Sequence, residues 1–224
     1  MEDIGMRYVL YFGPSVMIFI GLQIFSSVPL TFWLFYSWLL LVPLIDGLLI
    51  KRNTWRETLN WICFHKPHHS IKIGLISGII AFISIFGGVA VLHDWIINKE
   101  KAISLLERWG ITDKGIIVMV LVLVVINPIL EETYWRGYMH TKIVERKGLR
   151  RAIFITAFFY SLYHLLSLVP IFEWPVNFLF VVPVFVAGLF WGWMRHKYNT
   201  MIGTMVSHSL ADIGIVCVYF FFIR

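Results

Sequence analysis

Charge is scarce in this 224-residue chain: 14% of residues are Asp, Glu, Lys or Arg, and only 13 of those are acids. With 59% apolar residues and a mean hydropathy of +0.79, that scarcity excludes an ordinary soluble globular domain. Cysteine is nearly missing as well. Cys63 and Cys217 stand far apart in unlike contexts, which excludes a disulfide framework and a thiolate metal site; both read as packing residues. No internal repeat, low-complexity tract or dividing linker is present, so residues 1–224 are expected to form a single membrane domain. The N-terminus, MEDIGMRY, lacks the basic region of a cleavable signal peptide, so the first helix is expected to stay.

What the chain has is apolar runs of bilayer length. A crossing of the hydrocarbon core takes about 20 residues, and runs close to that length recur at 8–25, 29–50, 73–92, 115–130, 152–171, 176–193 and 201–222. The expected fold is all-α, a polytopic transmembrane helical bundle of about seven spans. The fourth and sixth runs are short, half-buried or continued as helix into the interface. The stretch 93–114 has apolar residues at helical spacing (Trp95, Ile96, Ile103, Leu106, Trp109) and reads as a short connecting helix, with an interfacial helix as the alternative. The aromatic stretches TFWLFYSWLL, EWPVNFLF and LFWGWM read as bilayer-facing or belt residues.

The net charge of +6 points to topology rather than nucleic acid. If the spans alternate, fourteen Lys and Arg fall on one side, six of them from Arg136 through a loop ending at Arg151, and five fall on the other. By the positive-inside rule the N-terminus and the 136–151 loop are cytoplasmic. His65, His68 and His69 in HKPHH read as a solvated, proline-containing loop rather than as a metal site.

An ionisable residue inside a span is a functional candidate by default. Glu131 and Glu132 follow Pro128 in NPILEETYWR; His164 lies in FFYSLYHLL; His208 and Asp212 lie in SHSLAD. At about 1.5 Å per residue, all five reach the cytoplasmic half of one bundle interior. Glu132 and Arg136 are spaced i, i+4 with the acid first, the favourable order for a helix ion pair, which turns Glu131 away toward other partners. His208 and Asp212 share a face, as do Tyr160 and His164. A carboxylate base and imidazoles around one point suit activation of water and stabilisation of an oxyanion.

EETYWR, YSLYH and HSLAD, in that order on successive apolar helices, resemble the Glu-Glu-x-x-x-Arg, Phe-x-x-x-His and His-x-x-x-Asn/Asp signatures of the CAAX-protease and bacteriocin-processing family of glutamic intramembrane endopeptidases. The resemblance implies catalytic core helices within 115–222, with 1–114 as additional N-terminal helices. It implies a multi-pass protein of a prokaryotic cell membrane that hydrolyses a peptide bond. Its partners would be membrane lipids and a peptide or protein substrate, lipid-modified or membrane-anchored. Glu131 and His164 would activate water, His208 and Asp212 would stand near the oxyanion, and Glu132, Arg136 and Tyr160 would support the site; no cofactor or metal is implied. Tyr160 replaces the usual Phe, and Asp212 stands where many relatives have Asn. An ionised carboxylate cannot donate to an oxyanion, so Asp212 is expected instead to accept from one nitrogen of His208 and present the other.

Two alternatives remain at this point. One is a metalloendopeptidase-like enzyme using Glu131, His164, His208 and Asp212 as ligands, although no helix carries HExxH. The other is a non-hydrolytic membrane protein such as an immunity factor or a transporter, although the matched broken helices of a transporter are not found.

Overall fold

The computed structural model of the chain describes residues 4–66, 69–111 and 113–224. Among the described residues there are helices and no strand. Nine helices follow one another among the described residues: α1 (Gly5–Ile24), α2 (Val28–Ile50), α3 (Trp55–Trp61), α4 (Ser70–Ile96), α5 (Lys99–Arg108), α6 (Gly115–Lys147), α7 (Leu149–Leu168), α8 (Val176–Tyr198) and α9 (Ile202–Ile223). Seven of them, all but α3 and α5, are long and apolar enough to cross a membrane. Each expected span overlaps one of the seven, with 8–25, 152–171 and 201–222 running one to three residues past the helix.

The fourth span corrects the reading from sequence. It runs for 33 residues to Lys147, turns at Gly148 with a φ of 80° and resumes at once as α7. The 136–151 stretch is therefore helix on either side of Gly148, not a loop. Its polar composition concealed a core element, for Tyr138, Met139, His140, Lys142 and Ile143 are all buried. Arg136, counted above among the cations of one side, is buried too, as is Arg195 of α8. Lys142 and Tyr138 both donate to Asp46 of α2, which ties the end of α6 to that helix.

The 93–114 stretch does contain a short connector, α5, started by the Asn98 side chain accepting from Lys101 N at 2.9 Å and buried through Ala102 and Leu105. In HKPHH, His65 Nδ1 meets Asn199 O at 2.9 Å and His69 is exposed, while His68 lies outside the described residues.

Proline and small residues set how the helices meet. A proline inside a helix cannot donate to the carbonyl four residues earlier, and in lipid a freed carbonyl needs a new donor. Pro14 frees Leu10 O, which accepts from Tyr134 Oη at 2.7 Å; Pro128 frees Val124 O, which accepts from Ser209 Oγ at 2.7 Å. The first bond joins α6 to α1 and the second joins α9 to α6. On α4 the buried Ser70, Gly74 and Gly78 face Gly203, Ser207 and Leu210 of α9, and the buried Gly214 of α9 lies against Phe82 of α4. A side chain at Gly203 would run into the Ser70 carbonyl, so the two backbones are in contact as in other small-residue membrane interfaces.

If Ser209 serves the carbonyl that Pro128 frees, Ser209→Ala should lower stability by about 1–2 kcal/mol, and Ser209→Thr should keep most of it. Melting in detergent measures both. An alanine variant as stable as the parent would show that Val124 O finds another donor.

Candidate active site

The first motif lies on α6 where the hydrogen bonding changes. Asn127–Glu132 is α-helical, and Thr133–Met139 opens to the wider i→i+5 pattern, an arrangement common at functional positions. Glu131 is 2% exposed and Glu132 and Arg136 0%, while across from them on α9 His208 is 2% and Asp212 7% exposed. The structure thus brings Glu131, Glu132, Arg136, His208 and Asp212 into one desolvated cluster.

Glu132 is its hub. Its Oε1 accepts from Arg136 Nη1 at 3.1 Å, the i, i+4 pair expected from spacing, and from His208 Nδ1 at 3.1 Å. A carboxylate only accepts, so that contact places a proton on Nδ1 and turns Nε2 toward the remaining groups. Nε2 stands 3.3 Å from Tyr160 Oη, 3.5 Å from Asp212 Oδ2 and 3.7 Å from Glu131 Oε2. Glu131 Oε2 has no hydrogen-bond partner among the described residues. Asp212, expected to accept from one nitrogen of His208, stands beside Nε2, and its Oδ2 also accepts from Asn127 Nδ2 at 3.1 Å, while Glu132 meets the other nitrogen at hydrogen-bond distance.

Aromatic rings close the cluster. Trp191 stacks on the His208 ring at 4.6 Å, and its indole N–H donates to Ser207 Oγ at 3.0 Å. The Arg136 guanidinium lies 4.3 Å above Tyr160 and 5.2 Å from Trp191, and its Nη2 donates to Gly188 O at 3.3 Å. His164 joins at the margin, its ring 4.5 Å from Tyr160 and 4.6 Å from Tyr163. Its Nδ1 is 2.8 Å from the Tyr160 carbonyl, which can only accept, so neutral His164 presents Nε2 as an acceptor.

Sequence reasoning passed over Asn127, Tyr36, Tyr163, Ser209 and Trp191. Asn127 carried a usable signal, a polar residue beside proline inside an apolar run. Tyr36 and Trp191 were concealed among aromatic stretches read as lipid-facing. That reading is corrected there, because Trp191 is 4% exposed and Tyr36 Oη bonds Asn127 Oδ1 at 3.1 Å, whereas Trp33 and Trp174 do face outward. The metal alternative gains no support: among the described residues no three His, Cys, Asp or Glu are grouped to hold an ion.

Comparison with known proteins falls on these same helices. Residues 113–214 match the family model described as Rce1-like, type II CAAX prenyl endopeptidase, a stretch that holds all three motifs. No curated protein and no solved structure matches the chain. Over residues 113–214 the chain is thus similar to the CAAX prenyl endopeptidase family, whose members are proteases acting on peptides or proteins.

Proposed function

We propose that the chain is a glutamic intramembrane endopeptidase in which Glu131 is the base. The observation that carries this reading is the division of labour between adjacent acids. Glu132 Oε1 is held by Arg136 Nη1 and His208 Nδ1, each at 3.1 Å, while among the described residues Glu131 has no cation at hydrogen-bond distance, its buried Oε2 standing 3.7 Å from His208 Nε2. In the proposed reaction a water oxygen attacks the peptide carbonyl carbon as its proton passes to Glu131, with His164 Nε2 accepting the second water hydrogen as a hydrogen bond. The carbonyl oxygen becomes an oxyanion facing the Tyr160 hydroxyl and, when His208 is protonated at Nε2, that N–H as well. Glu131 then returns the proton to the departing nitrogen as the carbon–nitrogen bond breaks, giving a carboxylic acid and an amine. Arg136 holds Glu132 in place, and Glu132 fixes the ring of His208.

Seven crossings would set Met1 and Arg224 on opposite faces of a membrane. The clustering of basic residues toward the end of α6 supports a cytoplasmic location for that end.

The test is cleavage by the full chain in liposomes. Two fluorogenic peptides ending in a CAAX sequence, one farnesylated and one not, are compared by mass spectrometry of the products. Cleavage of the farnesylated peptide is expected, and it should persist after dialysis against a strong chelator. Activity lost to the chelator and restored by zinc would replace Glu131 as base with a metal-bound hydroxide.

A further inference from the structure

Three helices contribute to a polar chain that extends beyond the three motifs. Tyr36 on α2 reaches Asn127 on α6, with Tyr36 Oη 3.1 Å from Asn127 Oδ1, and Asn127 Nδ2 lies 3.1 Å from Asp212 Oδ2 on α9. Chemistry fixes the order. An ionised Asp212 only accepts, so Asn127 gives it the amide N–H and leaves its carbonyl oxygen to the Tyr36 hydroxyl, which must donate. Asn127 and Asp212 are both 7% exposed, so neither end of the amide has ready water as an alternative.

The oxygen that Asn127 engages, Asp212 Oδ2, is also the one 3.5 Å from His208 Nε2. We infer that Asn127, oriented by Tyr36, is a positioning residue that restrains the Asp212 carboxylate beside His208 without letting it bond Nε2 directly. Freed from Asn127, the carboxylate would close on Nε2 and occupy the nitrogen that the reaction needs. The inference rests on the proposed roles of Glu131 and His208.

The test exchanges amide and acid. Asn127→Asp sets two carboxylates face to face and is expected to lower kcat roughly 100-fold, the scale of a misplacement near 1 Å, with KM changed less than about threefold. Asp212→Asn keeps an oxygen to accept from the Asn127 amide and is expected to lower kcat by no more than about tenfold. The double variant Asn127→Asp/Asp212→Asn restores one donor and one acceptor with Tyr36 still donating, and should return to within about tenfold of Asp212→Asn. Tyr36→Phe, which removes one oxygen, should lower kcat about five- to tenfold with little change in melting temperature, and it decides the matter if Asn127→Asp does not fold. A folded double variant no faster than Asn127→Asp, or a Tyr36→Phe variant with parental kcat, would overturn the inference. Glu131→Gln, assayed alongside, separates the two layers. If it is inactive while the exchange fails, only the positioning role falls; if it cleaves at the parental rate, the reading of the site falls and the positioning role with it.

Discussion

Glu131→Gln is expected to insert and melt like the parent while its single-turnover cleavage falls roughly 10²- to 10⁴-fold. The amide preserves shape and volume but cannot take a proton from water, and no hydrogen bond to a described residue is lost at Oε2 because none is made there. Glu132→Gln should behave differently. Its Oε1 serves both Arg136 and His208, so neutralising it leaves a buried guanidinium without its counter-charge and loosens the ring that Glu131 faces. Stability and rate should fall together in that variant. Detergent melting curves and single-turnover rates on the pair distinguish the roles. Should Glu131→Gln cleave normally while Glu132→Gln is inactive yet as stable as the parent, the base has been assigned to the wrong acid.

That contrast shows where sequence stops being informative. Arg136 as a partner of Glu132 is written in the four-residue spacing, because a helix puts those positions on one face. His208 as its second partner is not, since it lies 76 positions away and reaches Glu132 only through the packing of α9 on α6. The same limit explains Asp212: its spacing from His208 placed both on one face, but which nitrogen it met depended on α6 approaching from the other side. The seven spans were legible because lipid demands long apolar runs, and the three motifs marked the right helices. The length of α6 was not legible, because its last turns bury charged and polar residues against α2 and α8, a pattern that reads as a loop. Asn127 was within reach, being polar inside a span, yet its meaning required α2 and α9 to be in place.

Arg136→Met is expected to produce the largest loss of stability, about 3–5 kcal/mol, by leaving Glu132 as an uncompensated buried charge. Both side chains are 0% exposed, so solvent screening offers little relief. Two contributions are mixed in that loss: the orphaned carboxylate, and the guanidinium's packing over Tyr160 and Trp191 with its bond to Gly188 O. The double variant Glu132→Gln/Arg136→Met separates them. If the orphaned charge dominates, removing it should recover stability to within about 1–2 kcal/mol of the parent, because a neutral, well-packed pair avoids the desolvation cost of two ions. Cleavage should not recover in parallel. The amide introduced by Glu132→Gln can still accept from His208 Nδ1, but a neutral acceptor holds the ring with roughly half the strength of a carboxylate, and a loss of at least about tenfold in rate should remain. Equilibrium unfolding in mixed detergent, read beside single-turnover rates, gives both quantities. A double variant no more stable than Arg136→Met would show that the arginine acts through the rings it covers rather than through the charge it neutralises.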